Sequence, residues 1–270
     1  MAATTSHRLP IIVYHSVDEK KTSISTPLAF FKTHINWLAE HGWSTIRLSQ
    51  AAQIVKQGGN LPPRSCVLTF DDAMQSIRDI ADPILRDHGF TATTFVVTGQ
   101  AGEKPHWFRL PDPYRDEPLL GRADLEKLAE NGWEMHPHTH NHPVMSHLPE
   151  DVQREEIEKS RSVIRDWFDQ PGDVLAYPYG QFNNDTQRAM TACGMAAGVS
   201  LRFSASVQSN CLMDCPRIGS AWFKDSPLRI KLATAGLLEW YVSAKARLKG
   251  DRSRHFQTPT SETVQGLIEC

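Results

Sequence analysis

The sequence has little cysteine and no long apolar run. Five cysteines in 270 residues, a small and odd number, do not imply a disulfide framework and favour reduced thiols. The spacing of Cys211 and Cys215 could form half of a zinc site. No second pair of cysteines or histidines lies near them in the sequence, which argues against that interpretation. Because no stretch of ~20 apolar residues exists, no transmembrane helix is predicted.

The sequence also lacks an excess of charge of either sign and a signal peptide. The formal net charge is -2 and the pI is about 6.6, so nothing favours nucleic acid, which attracts basic surfaces. Residues 1–10 contain no apolar core of a leader peptide. We therefore expect a cytoplasmic protein with a small or neutral substrate, although an exported protein whose leader had been removed would look the same. Nothing in the sequence indicates an oligomeric state.

What the sequence does contain is an alternation of short apolar runs with amphipathic segments. Strands are predicted at 11–14, 65–70, 91–97, 133–135, 173–177 and 195–199, and helices at 27–41, 74–88, 122–131, 149–168, 181–193 and 227–249. Such alternation is typical of parallel strands covered by helices. The sequence thus predicts an α/β fold, in the form of a distorted or incomplete (β/α) barrel.

The length of the chain suits one large domain. We expect a single domain over residues 8–249 and a polar C-terminal tail over 250–270 that frays. A proline-rich stretch between Gly99 and Gly121 predicts a long ordered loop.

Two carboxylates, Asp71 and Asp72, directly follow the predicted strand 65–70. Carboxylates at the end of a buried strand are costly unless something uses or neutralises them. Adjacent side chains on an extended backbone point in different directions, so one could bind a metal while the other accepts a proton. The alternative, equally well supported by these residues alone, is that one of them caps the helix that begins near Met74.

Four of the 12 histidines lie close together, at His136, His138, His140 and His142. As a strand, all four would line one face; as a helical turn, His138 and His142 would align as i and i+4. Either arrangement can present two imidazoles to one divalent ion. The flanking prolines favour a turn at a strand end. The alternative is a solvated polar loop.

A third motif, at residues 175–180, reads Leu-Ala-Tyr-Pro-Tyr-Gly. An apolar strand that ends in this way supplies a rigid turn and a backbone amide able to approach a substrate oxygen, as an oxyanion site requires. Turns of proline and glycine occur in all folds, so this motif is weak on its own.

Together the three motifs resemble the polysaccharide deacetylase family, also called the NodB-homology family. Their order and spacing match over about residues 10–220. The segment Val-Tyr-His-Ser-Val at 13–17 and the third motif are most similar to the subgroup of poly-N-acetylglucosamine deacetylases. The resemblance implies that residues 8–249 form one catalytic domain with a distorted (β/α) barrel.

The resemblance also implies a metal site and a base. Asp72, His138 and His142 would hold a divalent ion, with Zn²⁺ as the first choice and Co²⁺ or Ni²⁺ as alternatives. Asp71 would be the general base. A site of two histidines and one carboxylate leaves open positions for water and substrate.

The remaining catalytic and binding residues follow from the same resemblance. In the subgroup, the histidine of the N-terminal Tyr-His motif is the general acid, which here is His15; without the resemblance we would read it as a residue that merely ends a strand. Tyr179 would donate its backbone N–H to the oxyanion. Tyr177 and Pro178 are candidate substrate-binding residues, and Trp107 is another because an indole can stack on a sugar ring.

Three positions depart from the family pattern. The glycine that usually follows the two aspartates is Ala73, which a turn tolerates unless it needs a positive φ. The arginine that pairs with the base in many members is replaced by Ala176, and Arg217 is our candidate for its place. The late Leu-x-x-His motif that elsewhere supplies the acid is absent, which strengthens the case for His15.

These interpretations predict a metal-dependent hydrolase that acts on an acetylated saccharide. N-acetyl groups are the expected target, and O-acetyl groups are the second choice. The first alternative is a catalytically silent carbohydrate-binding protein with the same fold. The second is a hydrolase of a non-sugar amide or cyclic ureide, against which the complete Asp-His-His set argues. Metal analysis combined with acetate release would separate these possibilities.

Overall fold

The computed structural model describes residues 6–237 and Tyr241. The strands of this part are Ser6–Arg8 (β1), Ile11–Tyr14 (β2), Ser16–Val17 (β3), Ser25–Thr26 (β4), Ser44–Thr45 (β5), Ser65–Phe70 (β6), Thr93–Val96 (β7), Glu134–Pro137 (β8), Val174–Ala176 (β9), Ala197–Val199 (β10), Ser206–Gln208 (β11) and Ile218–Gly219 (β12). The α-helices are Leu28–Glu40 (α1), Leu48–Lys56 (α2), Asp82–Asp87 (α3), Arg122–Glu130 (α4), Glu150–Phe168 (α5), Asn184–Ala192 (α6), Ser220–Phe223 (α7) and Pro227–Thr234 (α8). None of the described helices is long and apolar enough to cross a membrane.

The central sheet is parallel, in the order β12-β2-β6-β7-β8, and β5 also pairs with β6. Every residue of β2, β6, β7 and β8 is buried, as expected for parallel strands that are covered on both faces. Successive side chains of a strand point to opposite faces. Ile12 and Leu68 accordingly pack against the surrounding helices, whereas Ile11 and Val67 pack with side chains of β9 and β10 inside the barrel.

Backbone pairing completes the barrel only in part. Strands β9 and β10 form a separate parallel pair, and Val199 of β10 makes a single bridge to Cys215, just before β12. Among the described residues, no backbone ladder joins β8 to β9. The side chain of His138 spans that gap by hydrogen bonding to Ala176 O at 2.8 Å. The predicted distorted (β/α) barrel is confirmed.

The segment predicted as a helix at 74–88 is helical over residues 75–87. After two helical residues it widens into a π-helical turn, Ile77–Ala81, and continues as α3. Pro83, in the first turn of α3, has no N–H to donate to the preceding turn, which accounts for the wider turn before it.

The prediction of one continuous helix over 227–249 is wrong. Helix α8 ends at Thr234, and Gly236 adopts a φ of +70°. The N–H of Leu237 donates back to Leu232 O at 2.9 Å, which closes the C-terminus in the manner of a Schellman motif. The rest of that predicted helix, Tyr241 excepted, and the predicted tail over 250–270 lie outside the described residues.

The proline-rich stretch is an ordered loop, as predicted. It contains short 3-10 turns at Thr98–Gln100 and Asp112–Tyr114. Its apolar side chains form a separate cluster that also includes residues of neighbouring segments: Met74, Val97, Trp107, Leu110, Tyr114 and Leu119. The hydroxyl of Tyr114 donates to Asp18 Oδ2 at 2.8 Å. The loop is thereby attached to the segment that follows β3.

Candidate metal site and active site

The motif residues lie at the carboxyl ends of the barrel strands. His15 follows β2, Asp71 and Asp72 follow β6, His138 follows β8, and Tyr177 follows β9. Because these strands are parallel, their carboxyl ends meet at one end of the barrel, where catalytic groups of such folds gather. The sequence motifs are therefore brought together by the topology of the sheet.

Asp72, His138 and His142 form a compact buried group. Oδ1 of Asp72 lies 3.5 Å from Nε2 of each histidine, and the two Nε2 atoms are 3.2 Å apart. One ligand atom from each residue lies within 4.8 Å of the others. No other group of three or more potential metal ligands is formed by residues 6–237, so Cys211 and Cys215 are not completed into a zinc site.

The chemistry of this group fits a divalent cation. Oδ1 of Asp72 is buried and has no hydrogen-bond partner in the described part of the chain, and a buried carboxylate oxygen is costly without a compensating partner. Burial, and after it the charge of Asp71, raises the pKa of Asp72 well above its usual value. Burial lowers the pKa of His138 to about 4 and that of His142 well below its usual value. Two neutral imidazoles and one carboxylate form a donor set that Zn²⁺ and related ions accept.

The two histidines of this group, His138 and His142, are held differently. Nδ1 of His138 donates to Ala176 O at 2.8 Å, which leaves the lone pair of Nε2 directed at the group. His142 adopts a φ of +59°, and its backbone N–H donates to Thr139 Oγ1 at 3.0 Å. Its Nδ1 is buried without a hydrogen-bond partner among the described residues.

The other two histidines of the motif lie outside the ligand group. His136 is fully buried in β8, with Nε2 3.3 Å from Glu134 Oε2. His140 hydrogen bonds to Thr98 Oγ1 through Nδ1 at 3.0 Å. The expectation that neither is a ligand agrees with these positions, whereas the arrangement of all four along one strand is wrong, because β8 ends at Pro137.

Glu156, on α5, orders the loop at residues 138–142, called the histidine loop below. This residue was not identified from the sequence. Its Oε2 accepts the backbone N–H groups of His140 at 2.9 Å and Asn141 at 2.8 Å, and its Oε1 accepts the Asn141 side-chain amide at 2.6 Å. Glu156 lies on the buried face of α5, together with Gln153, Ile157 and Ser160. The sequence did contain a signal: Glu156 is a charged residue at a position where the helical period of α5 places buried side chains.

Asp71 is held by Arg217. The guanidinium binds the carboxylate in bidentate fashion, with Nη1–Oδ1 at 2.7 Å and Nη2–Oδ2 at 2.8 Å, and Arg217 is 1% exposed. Burial by itself would raise the pKa of Asp71, but Arg217 and the neighbouring imidazoles outweigh burial and hold that pKa well below its usual range. The carboxylate is therefore ionised. Arg217 occupies the position that the sequence analysis assigned to it, beside the candidate base.

The alternative that an aspartate caps the following helix does not match the structure. The helical segment starts at Gln75, so neither Asp71 nor Asp72 occupies the position before its first residue. Asp72 and Ala73 instead form a turn with positive φ values of 72° and 55°. The turn therefore needs the conformation that the usual glycine adopts freely, and Ala73 holds it under strain.

His15 faces the same carboxylate from the solvent side. Its Nε2 lies 3.9 Å from Asp71 Oδ2, and its side chain is 25% exposed. Burial lowers the pKa of His15, and the charge of Asp71 offsets only part of that effect. His15 thus lies within reach of both Asp71 and the open part of the site.

Tyr179 lies beside the candidate metal ligands in a left-handed turn. Its φ is +59°, its hydroxyl donates to Phe108 O, and its ring centroid is 4.8 Å from that of His142. Burial, and after it the charge of Asp72, raises the pKa of Tyr179 to about 12. The next residue, Gly180, has a φ of +67°, and a Cβ there would lie 2.8 Å from Leu201, so the turn requires glycine at this position.

Three residues expected to contact the substrate lie in buried positions. Tyr177 is buried; its hydroxyl donates to Met213 O at 2.5 Å and its ring stacks on Phe182, so its side chain is a packing residue. Pro178 is buried within the turn. Trp107 is 7% exposed and its ring packs 4.5 Å from that of His142, which leaves little of the indole free to stack on a sugar.

Comparisons with known proteins identify the family of this chain. A model of the polysaccharide deacetylase family matches residues 58–198, more than half of the chain. YxkH of Bacillus subtilis, named after the same family, is 28% identical over 194 residues, covering 72% of this chain and 64% of the relative. Poly-beta-1,6-N-acetyl-D-glucosamine N-deacetylase of Staphylococcus epidermidis is 29% identical over 184 residues, covering 65% and 61%. The chain thus spans less than two thirds of the length of these two relatives.

Solved structures show the same fold. IcaB from Ammonifex degensii superposes with a TM-score of 0.72 at 19% identity, covering 86% of this chain and 97% of that one. The deacetylase PplD of Streptococcus pyogenes, solved in complex with acetate, superposes with a TM-score of 0.69 at 21% identity, covering 80% and 93%. With the family model, the three motifs and the barrel in agreement, this chain belongs to the polysaccharide deacetylase family.

Proposed function

We propose that this protein is a metal-dependent hydrolase that removes N-acetyl groups from an amino-sugar-containing oligosaccharide, polysaccharide or precursor. One observation carries the proposal: the buried group Asp72, His138 and His142 lies beside an ionised Asp71 that Arg217 holds in place. The names of relatives such as the staphylococcal N-deacetylase support an acetylated amino sugar as the substrate.

The residues divide into a metal site and a base. Zn²⁺, or Co²⁺ or Ni²⁺, held by Asp72, His138 and His142 would polarise the acetyl carbonyl and lower the pKa of a water to about 7. Asp71 takes the proton of the attacking water. Each carboxylate oxygen keeps a lone pair beyond the one that Arg217 occupies, so the bidentate pair does not prevent this step.

The acid and the oxyanion donor complete the site. His15, in its protonated form, would donate a proton to the departing amine; its place beside Asp71 and its partial exposure to solvent support this role. The backbone N–H of Tyr179, fixed by the left-handed turn, donates to the oxygen on which negative charge develops. Acetate and a free amine are the products.

Acetate release from a panel of N-acetylated and O-acetylated oligosaccharides tests the proposal. We expect release from an N-acetylated substrate, loss of activity after removal of the metal by a chelator, and recovery after Zn²⁺ or Co²⁺ is added back. Asp71→Asn should lower turnover by about 10²-fold or more with the metal content unchanged. A protein that binds metal and saccharide but releases no acetate would instead be a carbohydrate-binding protein, and a metal-free active protein would contradict the proposed chemistry.

A further inference from the structure

The two ligand histidines differ in what fixes their rings. His138 has the usual arrangement of a metal-binding imidazole: its outer nitrogen, Nδ1, donates to the carbonyl of Ala176. For His142, the corresponding Nδ1 is buried and has no hydrogen-bond partner in the described part of the chain. A different interaction must therefore set the rotation of the His142 ring, on which the direction of the Nε2 lone pair depends.

Aromatic rings surround His142 instead. The ring of Trp107 lies 4.5 Å from that of His142, at an angle of 33° between the planes. The ring of Tyr179 lies 4.8 Å away at 71°, in an edge arrangement. Both geometries fall in the range that stabilises pairs of aromatic rings.

Trp107 is itself firmly placed. It is 7% exposed and belongs to the apolar cluster of the loop, together with Leu110 and Tyr114. The carbonyl of the next residue, Phe108, accepts the hydroxyl hydrogen bond of Tyr179. The ring of Tyr179 is thereby attached to the loop segment that carries Trp107.

We propose that Trp107 is a positioning residue for the metal. Its indole holds the imidazole of His142 in the rotation that points Nε2 at the ion, the function that the hydrogen bond to Ala176 serves for His138. The loop between Gly99 and Gly121 therefore contributes to metal affinity although it supplies no ligand. This inference rests on the metal site of the proposed function.

Zn²⁺ affinity, measured by competition with a chromophoric chelator, tests the inference without reference to activity. Trp107→Leu removes the ring, Trp107→Phe keeps an aromatic face, and Phe108→Leu is the matched control. Phe108 is the neighbour of Trp107, is 69% exposed, and keeps its backbone carbonyl in the variant. Partners of metal-bound histidines typically contribute about 10–100-fold to affinity. We expect Trp107→Leu to weaken Zn²⁺ binding by about tenfold or more, and Trp107→Phe to recover most of that loss.

The visible absorption spectrum of the Co²⁺-loaded protein is a second measurement. A rotated His142 changes the coordination geometry, so the spectrum of Trp107→Leu should change while that of Phe108→Leu stays as in the wild type. Circular dichroism and melting of the metal-free proteins establish that each variant is folded. If Trp107→Leu does not fold, Trp107→Met, whose flexible side chain fills space without offering a ring face, takes its place with the same expectation.

The outcomes separate this inference from the proposed function. Equal Zn²⁺ affinity of wild type and folded Trp107→Leu would overturn the positioning role and leave the proposed metal site standing. An equal loss in Phe108→Leu would also overturn it, because the effect would then belong to the whole loop. Failure of the wild type to bind either Zn²⁺ or Co²⁺ would contradict the proposed function itself.

Discussion

Arg217 and Asp71 form a buried pair in which each residue depends on the other. Both side chains are almost entirely shielded from water, so the removal of one leaves the other as an uncompensated charge. Such a loss typically costs about 3–5 kcal/mol of stability. The pair therefore has two consequences, one for folding and one for the ionisation of the candidate base.

Arg217→Ala should lower both stability and activity. Without the guanidinium, burial raises the pKa of Asp71, and we expect turnover to fall sharply while the metal content stays unchanged. Urea unfolding and acetate release are the measurements. The double variant Arg217→Ala with Asp71→Asn should recover part of the lost stability, because no buried charge remains, but none of the activity. Near-normal turnover of Arg217→Ala would show that Asp71 works without its partner.

His15→Asn tests the candidate acid. We expect acetate release to fall by about 10²–10⁴-fold, with Zn²⁺ affinity unchanged, because His15 lies beside Asp71 rather than among the metal ligands. His147→Asn, at an exposed position, is the control and should behave as the wild type. Retention of most of the activity by His15→Asn would assign the proton donor to another group.

At the scale of elements, helix α5 holds the histidine loop in place through the hydrogen bonds that the carboxylate of Glu156 accepts. The backbone between His138 and His142 reverses direction, with positive φ values at Thr139 and His142, and the N–H groups exposed by that turn point at Glu156. The longest described helix thus fixes a loop that has no regular structure of its own.

Glu156→Gln should loosen this loop. Hydrogen bonds to a charged acceptor contribute about 1.5–3 kcal/mol each, and glutamine replaces one acceptor oxygen by a donor. We expect the free energy of unfolding to fall by about 2 kcal/mol and Zn²⁺ to bind more weakly, as measured by urea unfolding and chelator competition. The control is Glu155→Gln on the same helix, whose ion pair with Lys159 is exposed to solvent and should therefore add little to stability. Similar effects of the two variants would contradict the role of Glu156.

At the scale of the whole molecule, His34 joins parts of the chain that are far apart in sequence. It lies in α1, accepts a hydrogen bond from the hydroxyl of Tyr14 in β2 through Nδ1 at 3.2 Å, and donates from Nε2 to Lys224 O at 2.5 Å. The carbonyl can only accept, so Nε2 carries the hydrogen and Nδ1 is unprotonated. Burial lowers the pKa of His34 to about 4, because a second proton would place a charge in the interior. That proton would also occupy Nδ1, which accepts the Tyr14 hydrogen bond.

The low pKa of His34 predicts a loss of stability in mild acid. Above about pH 6.5, His34 is neutral in both folded and unfolded chains, and its contribution is complete. As the pH falls from about 6.5 to about 4, His34 becomes protonated in the unfolded chain but stays neutral in the folded chain. The free energy of unfolding therefore decreases by at most about 3 kcal/mol. Unfolding of wild type and His34→Gln over this pH range should show a smaller pH dependence in the variant. His41→Gln, at an exposed position, should keep the wild-type dependence, and equal slopes for wild type and His34→Gln would contradict the prediction.

The sequence by itself determined the class of fold and the position of the motifs. Apolar runs of strand length and helical spacing of apolar residues are local patterns, so the alternation of strands and helices could be predicted, and with it the location of Asp71, Asp72 and His138 at strand ends. The resemblance to the family added the division of roles among them. The helix over 227–249 was predicted too long, because a single glycine, Gly236, inside a long apolar period is a weak signal for a helix end.

Only the tertiary structure decided which side chains meet across the barrel. Asp71 and Arg217 are 146 positions apart, and their bidentate contact depends on the closure of the barrel between β10 and β12. The packing of loops and helices likewise decides that Tyr177 is buried and that Trp107 contacts His142. It also brings Glu156 to the N–H groups of the histidine loop. Local patterns encode which face of an element is buried, whereas contacts between distant segments arise only when all the elements are assembled.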